Sequence, residues 1–190
     1  MVIIIGAESM TGKTLMAQNL LEKYNMPFLS VDHLKMGLYR ANIKCGFKPE
    51  DSNEVIEKHL CLILKGIIET NIENNQNIII EGCYIYPKRI NEFAREYKTK
   101  IIPVFMGFSK QYLELNFESN VLGYKNAIEL RGWSDERPLE WFIDAHSKMK
   151  VMCMESNIQF FEINNDYEKE TAVIYQWIDL EVKRIEGFNQ

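Results

Sequence analysis

Along the chain, short apolar runs alternate with longer stretches in which apolar residues recur every three or four positions. The first run ends at Gly6, and from Lys13 to Tyr24 the residues Leu15, Met16, Leu20 and Leu21 follow helical spacing. "MPFLSVD" predicts a short strand after Pro27. The longest helical pattern runs over about 53–74, with Ile56, Leu60, Ile63, Leu64, Ile67 and Ile68 on one face. "NIIIEG" predicts a fully buried strand, bounded by "NNQN" before it and Gly82 after it. "REYKTKIIPVFMGF" contains a fourth strand and "NIQFFEIN" a fifth. Helices fill the gaps at about 88–97, 109–119, 138–155 and 167–185, with Pro138 in the first turn of its helix, where a missing N–H costs nothing.

Five strands separated by helices imply an α/β fold, a parallel sheet covered on both faces. Ligands of such sheets bind beyond the C-terminal ends of the strands. The polar residues of most interest fall there: Gly6 to Thr14, Asp32, Glu81, and Asn164 to Asp166. At 190 residues the length suits one domain. The composition, 46% hydrophobic and 26% charged, is that of a soluble globular protein. A net charge of −5 implies no basic face and argues against a nucleic-acid partner. No run approaches membrane-spanning length, and the short apolar stretch before Gly6 has no basic flank or small-residue cleavage site, so no membrane partner is expected. Cys45, Cys61, Cys83 and Cys153 are scattered without zinc-ligand spacing, which reads as free thiols in a cytoplasmic protein, monomer or homodimer.

The stretch "GAESMTGKT" supplies the strongest chemical signal. Gly12, Lys13 and Thr14 match the end of the phosphate-loop pattern G-x-x-x-x-G-K-[ST], but Ala7 holds the first glycine's place and Gly6 comes one residue early. A strand-to-helix turn offers backbone N–H groups and a helix N-terminus to an anion. Gly6, Ala7, Ser9, Met10, Thr11, Gly12, Lys13 and Thr14 are therefore the expected nucleotide-binding residues, together with Asn165 at the last strand end. Lys13 would reach the terminal phosphates, and the Thr14 hydroxyl would hold Mg²⁺. Ala7 and Met10 leave the loop poor in glycine. If either needs φ > 0, its side chain costs on the order of 1 kcal/mol or more.

Asp32 reads as a residue that activates an acceptor hydroxyl or positions Mg²⁺, with an N-cap for a helix starting near His33 as the competing account. Arg40 is either a clamp for an anionic acceptor group or an ordinary surface arginine. Glu81 resembles a Walker-B acid near the metal, with a structural salt bridge as the competing account. Tyr84 and Tyr86 are candidates for the acceptor pocket, and Gly82 for close approach of backbone to ligand. Arg131 and Arg137 flank a short Gly- and Ser-containing segment in a lid at about 123–138, where they would stabilise transition-state charge or simply pair with Asp135 and Glu136. His146 and the methionine-rich "SKMKVMCMES" read as a core-contacting helix.

With these elements together, the chain resembles the P-loop small-molecule kinases of the adenylate kinase, shikimate kinase and zeta toxin type. "IIIGAESMTGKT", "LSVDHLKMGLYR" and "NIIIEGCYIYP" resemble, more narrowly, 2-phosphoglycerate-kinase-like or zeta-toxin-like bacterial proteins. The resemblance covers the first half of the chain in motifs and the second half only in layout. It implies a three-layer P-loop NTPase fold with strand order 2-3-1-4-5, ATP as donor, and Mg²⁺. It also implies phosphate and metal handling by Lys13 and Thr14, Asp32 on the acceptor side, and Arg131 or Arg137 in the lid.

The expected activity is transfer of the γ-phosphoryl group of ATP to a hydroxyl or phosphate of a small molecule. The alternative is a non-catalytic nucleotide-binding regulator. A GTPase switch would want N-K-x-D and D-x-x-G, where this chain has "INND" and "EGCY". A kinase of polynucleotide ends is disfavoured by the acidic balance.

Overall fold

Five parallel strands form one sheet in the order β2-β3-β1-β4-β5 in the computed structural model. The structure describes residues 1–41, 44–123 and 137–187. The strands are β1 (Val2–Ala7), β2 (Phe28–Ser30), β3 (Ile78–Gly82), β4 (Ile101–Phe108) and β5 (Phe160–Ile163). The helices are α1 (Lys13–Tyr24), α2 (Val31–Ala41), α3 (Asn53–Glu73), α4 (Pro87–Ile90), α5 (Arg95–Lys98), α6 (Lys110–Asn116), α7 (Leu139–Glu155) and α8 (Tyr167–Gly187). α6 widens into a π-helical turn over Phe117–Leu122.

The central strand explains why its sequence is apolar throughout. Alternate side chains of β1 enter opposite cores: Ile3 and Ile5 meet Met16, Leu20, Ile174 and Ile178, while Val2 and Ile4 meet Ile56, Leu60 and Met149. Both faces are covered, so the usual polar alternation of a half-exposed strand is lost. Register then aligns the strand ends, with Gly6 opposite Gly82 and Phe105, and Ser30 opposite Glu81.

Four local expectations are corrected. The helix at 88–97 is broken into α4 and α5, because Ile90 and Phe93 both turn into the core beneath α3 and Ala94 is extended. α2 begins at Val31, directly after β2, so Asp32 lies in the first helical turn and is not the cap. Pro138 is itself the extended N-cap of α7, one position before the first turn. The stretch 109–119 starts one residue later, with the Ser109 hydroxyl accepting from the Tyr112 N–H, and ends in the π-turn. Most of the proposed lid, residues 124–136, lies outside the described residues, and Arg131 with it.

Candidate active site

The loop between β1 and α1 is built by a few specific contacts. Ala7 is the fully buried last residue of β1, paired with Met106, and needs no positive φ. The missing first glycine of the motif therefore falls where the chain is still a strand. Met10 does adopt a left-handed conformation, φ 65°, as does Gly12 at φ 83°. The Thr11 hydroxyl, fully buried, donates to the Glu8 carbonyl at 2.8 Å. The Tyr167 hydroxyl, from the start of α8, donates to the Thr11 carbonyl at 3.1 Å. A Cβ on Gly12 would lie 1.9 Å from that same hydroxyl, so Gly12 is required by space as well as by φ.

Gly6 serves packing, since a Cβ there would meet the Phe105 ring at 2.3 Å. Gly82 likewise gives room to the Val31 side chain, at 2.7 Å from its missing Cβ, so the expected close approach is made by a side chain.

Lys13 is 3% exposed at the first position of α1. Burial works against its charge, but Cys83, Glu81 and Asp32 outweigh it and raise its pKa. A loop residue and two neighbouring strand ends thus converge on one ammonium. Thr14, half-buried, donates from its hydroxyl to Glu81 Oε2 at 3.5 Å, and Glu81 itself is buried. Ser9 Oγ lies 3.8 Å from Cys83 Sγ. One hydroxyl and one carboxylate side by side suit Mg²⁺, which takes one or two carboxylates and fills its shell with phosphate oxygens and water. Among the described residues, no group of three or more His, Cys, Asp or Glu could hold a metal on protein ligands alone.

On the β3 side, sequence reading missed Lys35. It lies one turn beyond Asp32, pairs with Asp32 Oδ1 at 3.2 Å, and donates to the Tyr84 hydroxyl at 2.7 Å. The i,i+3 spacing on a helix was the available signal. Tyr84 and Tyr86 are both buried, and burial pushes both phenols up. Arg40 is exposed near the end of α2, and His33 is exposed as well. Arg137 stacks on Trp141, 3.8 Å from the ring centre, at the mouth of α7, and its charge reaches Glu8.

On the β5 side, Glu170 accepts from the backbone N–H groups of Asn164, Asn165 and Asp166 at 2.8–2.9 Å, fixing the loop before α8. Asn165 is exposed there, beside the helix that carries Tyr167. His146 is buried away from this chemistry. Its Nδ1 accepts from the Phe108 N–H at 3.1 Å, and burial lowers its pKa to about 3.

No protein-family model matches the sequence, and a comparison with curated proteins finds no match. Its fold has clear counterparts among solved structures. The shikimate kinase of Aquifex aeolicus aligns with a TM-score of 0.56 at 15% identity, covering 96% of this chain and 98% of that one. The shikimate kinase of Bacteroides thetaiotaomicron aligns at 0.52 and 16% identity, covering 94% and 98%. A Chloroflexus aurantiacus protein described provisionally as a kinase aligns at 0.55 and 17%, covering 95% and 97%. At these identities the likeness is one of fold: this chain has the three-layer P-loop fold of the shikimate kinases, with the same kind of five-stranded parallel sheet.

Proposed function

We propose that this protein is a kinase that transfers the γ-phosphoryl group of ATP to a small-molecule acceptor. The observation that carries the reading is the convergence on buried Lys13 of Asp32, in the first turn of the helix after β2, and Glu81, near the end of β3. Phosphoryl transfer asks a protein mainly for positioning and charge neutralisation. In this reading the N–H groups of residues 9–14 cradle the phosphates, with Gly6 and Ala7 as the strand that aims the loop. Lys13 neutralises the terminal phosphate oxygens, and Asn165 lies on the base side. Thr14 and Glu81 would hold Mg²⁺, which bridges the outer phosphates and neutralises their charge when bound.

Asp32 accepts the acceptor hydroxyl's proton, with Lys35 fixing its carboxylate and Tyr84 forming the wall behind. Arg40 reaches from α2 toward a charged substituent. Arg137, with Arg131 from the segment 124–136, closes over the phosphates. Both the motif resemblance to 2-phosphoglycerate-kinase-like and zeta-toxin-like proteins and the fold shared with shikimate kinases support this reaction class.

The test is ADP release from Mg·ATP in the presence of nucleosides, nucleotides, sugars and hydroxy acids. At least one class should stimulate release, and Lys13→Ala should abolish it, a loss of at least about a hundredfold. Failure of both ATP and GTP to bind in millimolar Mg²⁺ would overturn the reading. Tight ATP binding with no acceptor that stimulates turnover would favour the regulatory protein instead.

A further inference from the structure

One buried ionisable group in the phosphate loop is given no task by the reaction described above. Glu8 follows directly after β1 and is only 5% exposed. Among the described residues its Oε2 has no hydrogen-bond partner. A buried carboxyl oxygen left without a partner is costly, and where one persists a ligand is the economical explanation. Within the loop the carboxyl accepts from the Ser9 backbone N–H, and Oε2 still lacks a partner among the described residues.

The surroundings say which ligand. The phosphate-binding backbone and Lys13 lie on one side of Glu8. The groups whose charge it feels, or which feel its own, come from elsewhere: Glu54 at the start of α3, Arg137 before α7, and Cys83, Tyr84 and Tyr86 beyond β3, with Lys148 of α7 farther out. Cys83, Tyr84 and Tyr86 follow β3 and Glu54 opens α3, opposite the Asn164–Asp166 loop, while Arg137 and Lys148 come with α7, which packs against β4. Burial pushes the Glu8 carboxyl up to about 7, against the pull of Lys13 and Arg137. A second anion beside it would meet Glu8 and Glu54 together, whereas a hydroxyl or amine would satisfy the unpartnered oxygen.

We infer that Glu8 is an acceptor-recognition residue, hydrogen-bonding a hydroxyl or amine of the acceptor and disfavouring an anionic group at that place. The inference rests on the kinase reading and narrows it, from any small molecule to a polyhydroxylated or amino-bearing acceptor without phosphate or carboxylate next to the loop. Glu8 is chemically passive here. It selects the acceptor, and the proton transfer stays with Asp32.

The experiment uses the full chain and matched probe pairs that differ by one anionic group: adenosine and AMP, glucose and glucose 6-phosphate, glycerol and glycerate. Each pair is titrated against the complex with Mg²⁺ and a non-hydrolysable ATP analogue by ligand-observed NMR, and against Mg·ATP by ADP release. In the wild type the uncharged member of the responding pair should bind about tenfold tighter or more. Glu8→Ala should raise its KM by about tenfold while the KM for ATP moves less than twofold. Glu8→Gln, which keeps the shape and removes the charge, should retain that acceptor and lose the discrimination against its anionic partner. Preference for the anionic member in the wild type that persists in Arg40→Ala would overturn the inference. So would an acceptor KM unmoved in a folded Glu8→Ala, or the absence of any Glu8-dependent binding to the nucleotide complex. If the ATP analogue itself fails to bind, the kinase reading falls first and the Glu8 assignment with it. An intact nucleotide complex with no Glu8 effect removes the assignment alone.

Discussion

Two buried residues give the folded state opposite responses to pH. Glu8 is raised from 4.5 to about 7 by burial, so between those values the native state holds a proton that the unfolded chain has released. Stability contributed by the protonated group is present below about 4.5 and is lost as pH rises toward 7. His146 is lowered from 6.5 to about 3 by burial. In that window the unfolded chain binds the extra proton, so stability is full above 6.5 and is lost as pH falls. Each effect has a limiting slope of about 1.4 kcal/mol per pH unit, and from 4.5 to 6.5 they oppose each other. Glu8→Gln should therefore stabilise the protein by about 3 kcal/mol more at pH 7.5 than at pH 4.5, read from urea midpoints. His146→Gln keeps an acceptor for the Phe108 N–H and should flatten the acid limb. A pH-independent difference between wild type and Glu8→Gln would show that the carboxyl is not held as described.

At the scale of the element, the region after β3 differs most from a plain alternation of strands and helices. A single helix over 88–97 would carry Ile90 and Phe93 on neighbouring parts of one face, but the chain stops at Asn91 and restarts at Arg95. What holds α4 in place is Arg89, whose Nε lies 2.5 Å from Glu57 Oε1 and whose Nη2 lies 3.1 Å from Oε2. Glu57 is 2% exposed in the second turn of α3, so the pair joins the helix before β3 to the short one after it. The segment between carries Tyr84 and Tyr86. Arg89→Ala strands a buried carboxylate and should cost about 3 kcal/mol in chemical denaturation. Adding Glu57→Leu should restore most of that loss, because the penalty comes from the uncompensated charge. If the double variant is no more stable than Arg89→Ala, the pair is not what positions α4.

Over the whole molecule, the parts that were legible in the sequence are those fixed by local pattern. β1 is an unbroken apolar run, and β3 is one as far as Ile80, because both faces of the sheet are buried, and α1 spans the residues its periodicity predicts. Lys13, Thr14, Asp32 and Glu81, the candidates that a motif and the strand-end rule name, lie together in the fold. Lys35, Glu8 and Tyr167 were missed because their significance arises from contacts across the fold. Tyr167 reaches back 156 residues to brace Thr11. The loop that answers to the motif is thus held by β1 at one end, α1 at the other and α8 across its middle, and its shape depends on the folded sheet. Nucleotide binding must then be linked to global stability, since the unfolded chain has no such loop. At a hundred times its Kd, Mg·ATP should add about 2.7 kcal/mol, raising the thermal midpoint by roughly 5–10 °C for a chain of this size. Gly12→Ala, whose added Cβ would lie 1.9 Å from the Tyr167 hydroxyl at φ 83°, should lose that shift even where the protein still melts cooperatively. Thermal scans with and without Mg·ATP decide the matter: an unshifted wild-type midpoint removes the coupling, and a full shift in Gly12→Ala shows that the loop does not need the brace.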